Sequence, residues 1–127
     1  MCSTSRGASL VAIMLSACAT DATDPRPETA DYIVEAILAP ACGRGACHSS
    51  ETNVSGIALD TIAAAKASML GTGGRDRVLV VPGSPDSSLL VTILTDTGKP
   101  MPADAPLPQV DIDLITSWVA NGAVGLQ

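Results

Sequence analysis

The sequence predicts a small all-α domain of about four helices joined by long loops. Apolar residues recur at helical spacing in separate segments, each bounded by cap, proline or glycine signals. Gly and Pro together number 20 (11 and 9) in 127 residues, so much of the chain is committed to loops. The one run that resembles a strand, Val78-Leu79-Val80-Val81, has no second run to pair with and reads as a buried extended segment.

Residues 1–17 have the form of an export signal. Arg6 supplies the positive start, Leu10 to Leu15 lie within a short apolar stretch, and Leu15-Ser16-Ala17-Cys18 closes it. That ending matches a bacterial lipobox, which makes Cys18 the expected lipidation site and new N-terminus. The stretch is shorter than the roughly 20 apolar residues a membrane-spanning helix needs. Acyl chains on Cys18 would anchor the chain at about 0.8 kcal/mol per buried methylene. The expected location is the cell envelope or periplasm. Residues 18–29 are polar and proline-bearing and are expected to form a flexible tether, leaving 30–127 as one domain.

Within that domain a first helix is expected from Ala30 to Ala39, capped by Thr29 and ended by Pro40, with Tyr32, Ile33, Ala36 and Ile37 on one face. A second runs from Thr61 to Leu70, capped by Asp60 and closed by Gly71. Ser84-Pro85 starts a third that reaches Leu94 or Thr95. Residues 96–108 hold four prolines and form an irregular loop carrying Met101. The last helix covers Gln109 to Ala120, buries Ile112, Ile115, Trp118 and Val119, and has a poor cap at Leu107-Pro108.

Composition narrows the function. A net charge of −6, with seven scattered basic residues, argues against a nucleic-acid partner. An acidic surface favours basic protein partners. With no Phe, one Trp and one Tyr, the core depends on aliphatic groups and would gain from a large apolar insert. Of the four cysteines, Cys2 leaves with the signal and Cys18 is modified, so Cys42 and Cys47 remain. Outside the cytoplasm two such thiols are expected to be bonded to each other or to something else.

The chemistry concentrates in Cys42-Gly43-Arg44-Gly45-Ala46-Cys47-His48. Two thiols followed directly by a histidine are what covalent haem attachment requires: each thiol adds across a porphyrin vinyl group, and the imidazole reaches the iron. The usual spacer between the cysteines is two residues, and here it is four. The extra residues must bulge outward, and Gly43 and Gly45 are expected to take positive φ there. A Cys42–Cys47 disulfide is the competing reading. Zinc is a poor one, because His48 is the only histidine. A nucleophilic cysteine–histidine pair is also poor, because adjacent residues seldom place base and nucleophile together.

The remaining segments resemble the planctomycete-type cytochrome c domains of exported bacterial proteins. The similarity runs through Cys42–His48, Gly56-Ile57-Ala58-Leu59, Val80-Val81-Pro82-Gly83-Ser84-Pro85-Asp86-Ser87-Ser88-Leu89-Leu90, Lys99-Pro100-Met101-Pro102 and Trp118-Val119-Ala120-Asn121-Gly122-Ala123, in that order, over about residues 31–124. The resemblance implies a cytochrome c-like fold around one haem c, with Cys42 and Cys47 as thioether sites and His48 as proximal iron ligand. It makes Met101 the distal ligand, and Met101's soft, neutral thioether suits that role. Met69, at core spacing on the second helix, is the rival. Trp118 is similar to the aromatic that packs near the haem. The expected role is electron transfer with redox partner proteins and no catalysis. The alternatives are a haem-free helical lipoprotein module stapled by Cys42–Cys47, and a haem sensor or peroxidase-like protein with a weak distal ligand.

Overall fold

The computed structural model describes residues 23–73 and 77–127; the signal segment and Cys18 lie outside them. Among the described residues the regular structure is entirely helical, with four helices and no strand. No helix among these residues is long and apolar enough to cross a membrane.

Helix α1 covers residues 30–41 in three consecutive parts: Ala30–Ile33, a π-helical stretch Val34–Leu38, and a last α-turn Ala39–Ala41. Thr29 caps it as expected, its hydroxyl accepting from the Tyr32 N–H at 3.4 Å. Pro40 does not end it. The Ala39 N–H reaches back five residues to the Val34 carbonyl, and this wider turn accommodates a ring that would crowd an ordinary α-turn. Beyond the proline, the Cys42 N–H bonds the Leu38 carbonyl at 2.7 Å, so the helix delivers Cys42 directly. The buried stripe is Ala30, Ile33, Val34, Ile37 and Leu38, while Ala36 is exposed. The bulkier Val34 and Leu38 claim the core in place of Ala36.

Helix α2 (Ile62–Leu70) is capped by Thr61, whose hydroxyl accepts from the Ala64 N–H at 3.2 Å. Asp60 is not the cap, because its carboxylate is taken by Ser50. Gly71 closes the helix in the left-handed region at φ +73°, as expected. Val78–Val81 has no partner strand, as the sequence implies, but it bends at Leu79 where a plain extended run is expected. Leu79 and Val80 are buried, and their N–H groups both donate to the Met69 carbonyl.

The third helix is shorter than expected. Pro85–Ser87 forms a single 3₁₀ turn, the chain breaks at Ser88 (ψ 113°), and helix α3 runs Leu89–Thr95. The break has a cause: the fully buried Ser88 hydroxyl accepts from the Val81 N–H and donates to the Ser84 carbonyl, each at 2.9 Å. Helix α4 (Gln109–Ala120) has the expected bounds and no side-chain cap at Pro108. It buries Leu114 in addition to Ile112, Ile115, Trp118 and Val119.

Helix α1 packs on α2, and α3 packs on α4 with the Pro85–Ser87 turn against both. The largest fully buried side chains are Trp118, Ile33, Leu38, Met69, Ile115 and Leu126. The Trp118 indole N–H donates to the Val124 carbonyl at 3.1 Å, and Val124 accepts again from Ala30 at 2.9 Å, tying the C-terminal tail to the start of α1.

The expected tether is docked over its second half. Arg26 bonds Asp24, Asp111 and the Val110 carbonyl, and Glu28 accepts from Ser117 at 2.6 Å and Asn121 at 2.7 Å. Apart from the local Arg26–Asp24 pair, these pairings span more than 80 positions of sequence, which local polarity does not reveal.

Replacing Ser88 by Ala removes the buried hydroxyl that accepts from the Val81 N–H and donates to the Ser84 carbonyl. Urea unfolding is expected to show a loss of about 1–3 kcal/mol; an unchanged midpoint would remove Ser88 as the cause of the break.

Candidate functional site

The Cys42–His48 segment is a loop closed at its base. The His48 N–H donates to the Cys42 carbonyl at 3.0 Å, which places the two residues side by side and pushes 43–47 outward. The Cys47 N–H donates to the Arg44 carbonyl at 2.8 Å and forms the turn within the bulge. The glycines do not act as expected: neither Gly43 nor Gly45 has a positive φ. Gly43 is needed for proximity instead. A Cβ on it would lie 2.7 Å from the Asp60 Cα and 2.9 Å from the Ala39 carbonyl oxygen, whereas one on Gly45 would meet nothing within 4 Å.

His48 is fixed by three bonds. Besides its N–H, its carbonyl accepts from Leu59 at 2.7 Å, and its ring Nδ1 lies 3.1 Å from the Val54 carbonyl. A carbonyl only accepts, so this bond places the proton on Nδ1 and leaves the Nε2 lone pair for another partner. Metal-binding histidines are held in this way. Val54 is presented by a short 3₁₀ turn, Val54–Gly56, between Asn53 (φ 47°) and Ser55 (φ 57°), both left-handed. For Ser55 that backbone is unfavourable, so strain sits beside the histidine. The loop is secured by Asp60, which accepts from the Ser50 N–H at 2.8 Å and its hydroxyl at 2.7 Å, and by the Thr52 hydroxyl on the Cys47 carbonyl at 2.9 Å.

Cys42 and Cys47 are free thiols, the first buried and the second half-buried. Burial pushes the Cys42 thiol up to about 11, and the neighbouring Cys47 adds to the rise, so Cys42 is protonated at neutral pH. Both line an apolar cavity of about 410 Å³ together with Ala46, His48, Val54, Met101 and Asp104. A second cavity, about 180 Å³, is walled by Leu59, Leu79, Leu90, Ile93 and Leu94, with Ser55, Arg77 and His48 as its polar members. Cys42, His48 and Met101 border both, so the two are parts of one cleft. Met101 is 44% exposed there, on the irregular 96–108 loop.

Four of the predicted site residues, Cys42, Cys47, His48 and Met101, therefore meet at one cleft. Trp118 lines neither cavity and is fully buried in the core; Met69 is also fully buried and away from the cleft. Cys18 lies outside the described residues. Sequence reasoning missed Val54, Asp60 and Arg77. The Val54 contribution is a backbone carbonyl, for which a sequence carries no signal beyond the turn-forming Asn53-Val54-Ser55-Gly56. Among the described residues no three His, Cys, Asp or Glu side chains are grouped to hold a bare metal ion.

The chain matches no protein-family profile, no curated protein and no solved structure.

The Ser50 hydroxyl and then its N–H hold the Asp60 carboxyl below the usual carboxylate range. Its grip on the histidine loop is complete above about pH 4, the unfolded value, and is lost as pH falls through the lower folded-state value. Thermal midpoints measured from about pH 5 downward are expected to fall less steeply in Asp60→Asn than in the parent. Parallel curves would place the acid sensitivity elsewhere.

Proposed function

We infer that this chain is an exported, lipid-anchored c-type cytochrome that carries single electrons through one haem. The observation that carries the reading is the convergence of Cys42, Cys47, His48 and Met101 on a single apolar cleft, with the imidazole tied at Nδ1 and its Nε2 free. The donor set fits the group. Two thiols and an adjacent imidazole are the attachment chemistry, and a neutral thioether borders the same cleft. The aliphatic walls suit a porphyrin face, and Arg77 offers a cation to its carboxylates.

Haem, when bound, supplies one-electron exchange at iron. This chain's residues do the rest. Cys42 and Cys47 would hold the haem through thioethers, and His48 would bind its iron, with the ring orientation set by the Val54 carbonyl. Met101 would supply a second ligand, and its thioether would favour the reduced state. Leu59, Leu79, Leu90, Ile93 and Leu94 exclude water, which limits the rearrangement that accompanies electron transfer. With His48 and Met101 both engaged, these residues would leave no place for a substrate, and the proposed role is carriage between redox partner proteins. Lipid on Cys18 would keep the domain at a bacterial membrane.

The test is expression of the full chain with a cytochrome c maturation system. The Soret band is expected to survive acid–acetone extraction. Loss of either cysteine to Ala should leave a single thioether, and His48→Ala should abolish stable incorporation. Met101→Ala should keep the covalent haem but bind carbon monoxide when reduced, where the parent resists it. A colourless product whose mass fits a disulfide would make the chain the haem-free anchored module instead. Carbon monoxide binding by the parent would mark a sensor or peroxidase-like site.

A further inference from the structure

We propose that the lengthened cysteine spacer is a latch: Arg44, at the bulge, clasps Asp104 on the Met101 loop and holds that loop against the cleft. The Arg44 guanidinium donates to the Asp104 carboxylate at 3.0 Å across 60 residues of sequence. Asp104 lines the same cavity as Cys42, Cys47, His48 and Met101, three positions beyond the methionine. Among the described residues this is the one ion pair joining the cysteine loop to residues 96–108. A bulge is what lets the arginine reach. The His48–Cys42 backbone bond closes the loop at its base, the Cys47–Arg44 bond turns it, and the open space around Gly45 leaves the apex unobstructed.

The 96–108 loop needs such a tie. It has no regular structure, and the bonds recorded within it are the turn from Asp96 to the Gly98 and Lys99 amides. Arg44 is thus a positioning residue for Met101. Both partners are well exposed, at 53% and 67%, so the latch is weak and sensitive to salt. A latch of that strength steadies the methionine yet lets the loop open. This inference rests on the haem reading above.

The test titrates imidazole into the ferric, haem-loaded full chain, following the Soret shift as Met101 is displaced. At about 0.01 M salt, Arg44→Gln and Asp104→Asn are each expected to bind imidazole about two- to fivefold more tightly than the parent. At about 1 M salt, where the screening length is about 3 Å, the parent should rise to the variants' level. The double reversal Arg44→Asp with Asp104→Arg should restore the parent's behaviour. Amide exchange across residues 99–105, read without reference to the haem, should quicken in each single variant. Covalent haem with identical imidazole affinity and exchange in parent and variants would overturn the latch alone. A chain that acquires no haem would overturn the electron-carrier reading, and the proposed role of the latch with it, and is told apart by its missing Soret band.

Discussion

His48 is gripped through its amide, its carbonyl and its ring, and the rest of the site is arranged around that grip. The amide bond to Cys42 sets where the cysteine loop closes, and the carbonyl bond from Leu59 sets where the following loop returns. The ring bond to Val54 decides which nitrogen keeps a lone pair. Each partner is in turn held by something else: Cys42 by the end of α1, Leu59 by burial in the core, and Val54 by a turn flanked by left-handed residues. A single histidine, through backbone and ring together, thereby connects the first helix, the 49–59 loop and the cleft.

The cleft is a consequence of what the core is made from. With Trp118 buried at the C-terminal tail, only aliphatic chains and Met69 remain to fill the space between helices. Leu79 and Val80 reach inward from a non-helical segment whose backbone is satisfied piecemeal by Met69 and Ser88. Leu90 and Leu94 come from α3, and Leu59 from the histidine loop. These walls converge beside Cys42 without closing and leave an apolar concavity there.

Much of this architecture was legible in the sequence, and the exceptions have physical causes. The last helix and the Gly71 stop follow from periodicity and from the one residue that takes φ > 0 freely. Sequence rules place Pro40 as a stop because they assume α-turns, and the π-helical stretch relieves the clash they penalise. Asp60 is a good cap by residue type, but Ser50 engages its carboxylate and Thr61 caps instead. Ser88 breaks a helix through contacts to Val81 and Ser84 that depend on the fold. At the site, motif chemistry points to Cys42, Cys47 and His48 and the family resemblance to Met101, and all four line one cleft. Gly43 was named for the wrong property, since it is close approach to Asp60 that excludes a side chain. Val54 acts through its backbone, and Arg26 and Glu28 through distant partners, so neither leaves a local signature.

Arg44 also offers a direct test, because trypsin cuts after it and so between the two cysteines. Digestion of the denatured mature protein gives one peptide ending at Arg44 with Cys42, and another running from Gly45 to Lys66 with Cys47 and His48. After complete reduction of disulfides, the two peptides are predicted to stay joined and to carry the mass of one haem. Their separation on reduction into two unmodified peptides with free thiols, after assembly in a haem-competent host, would contradict it.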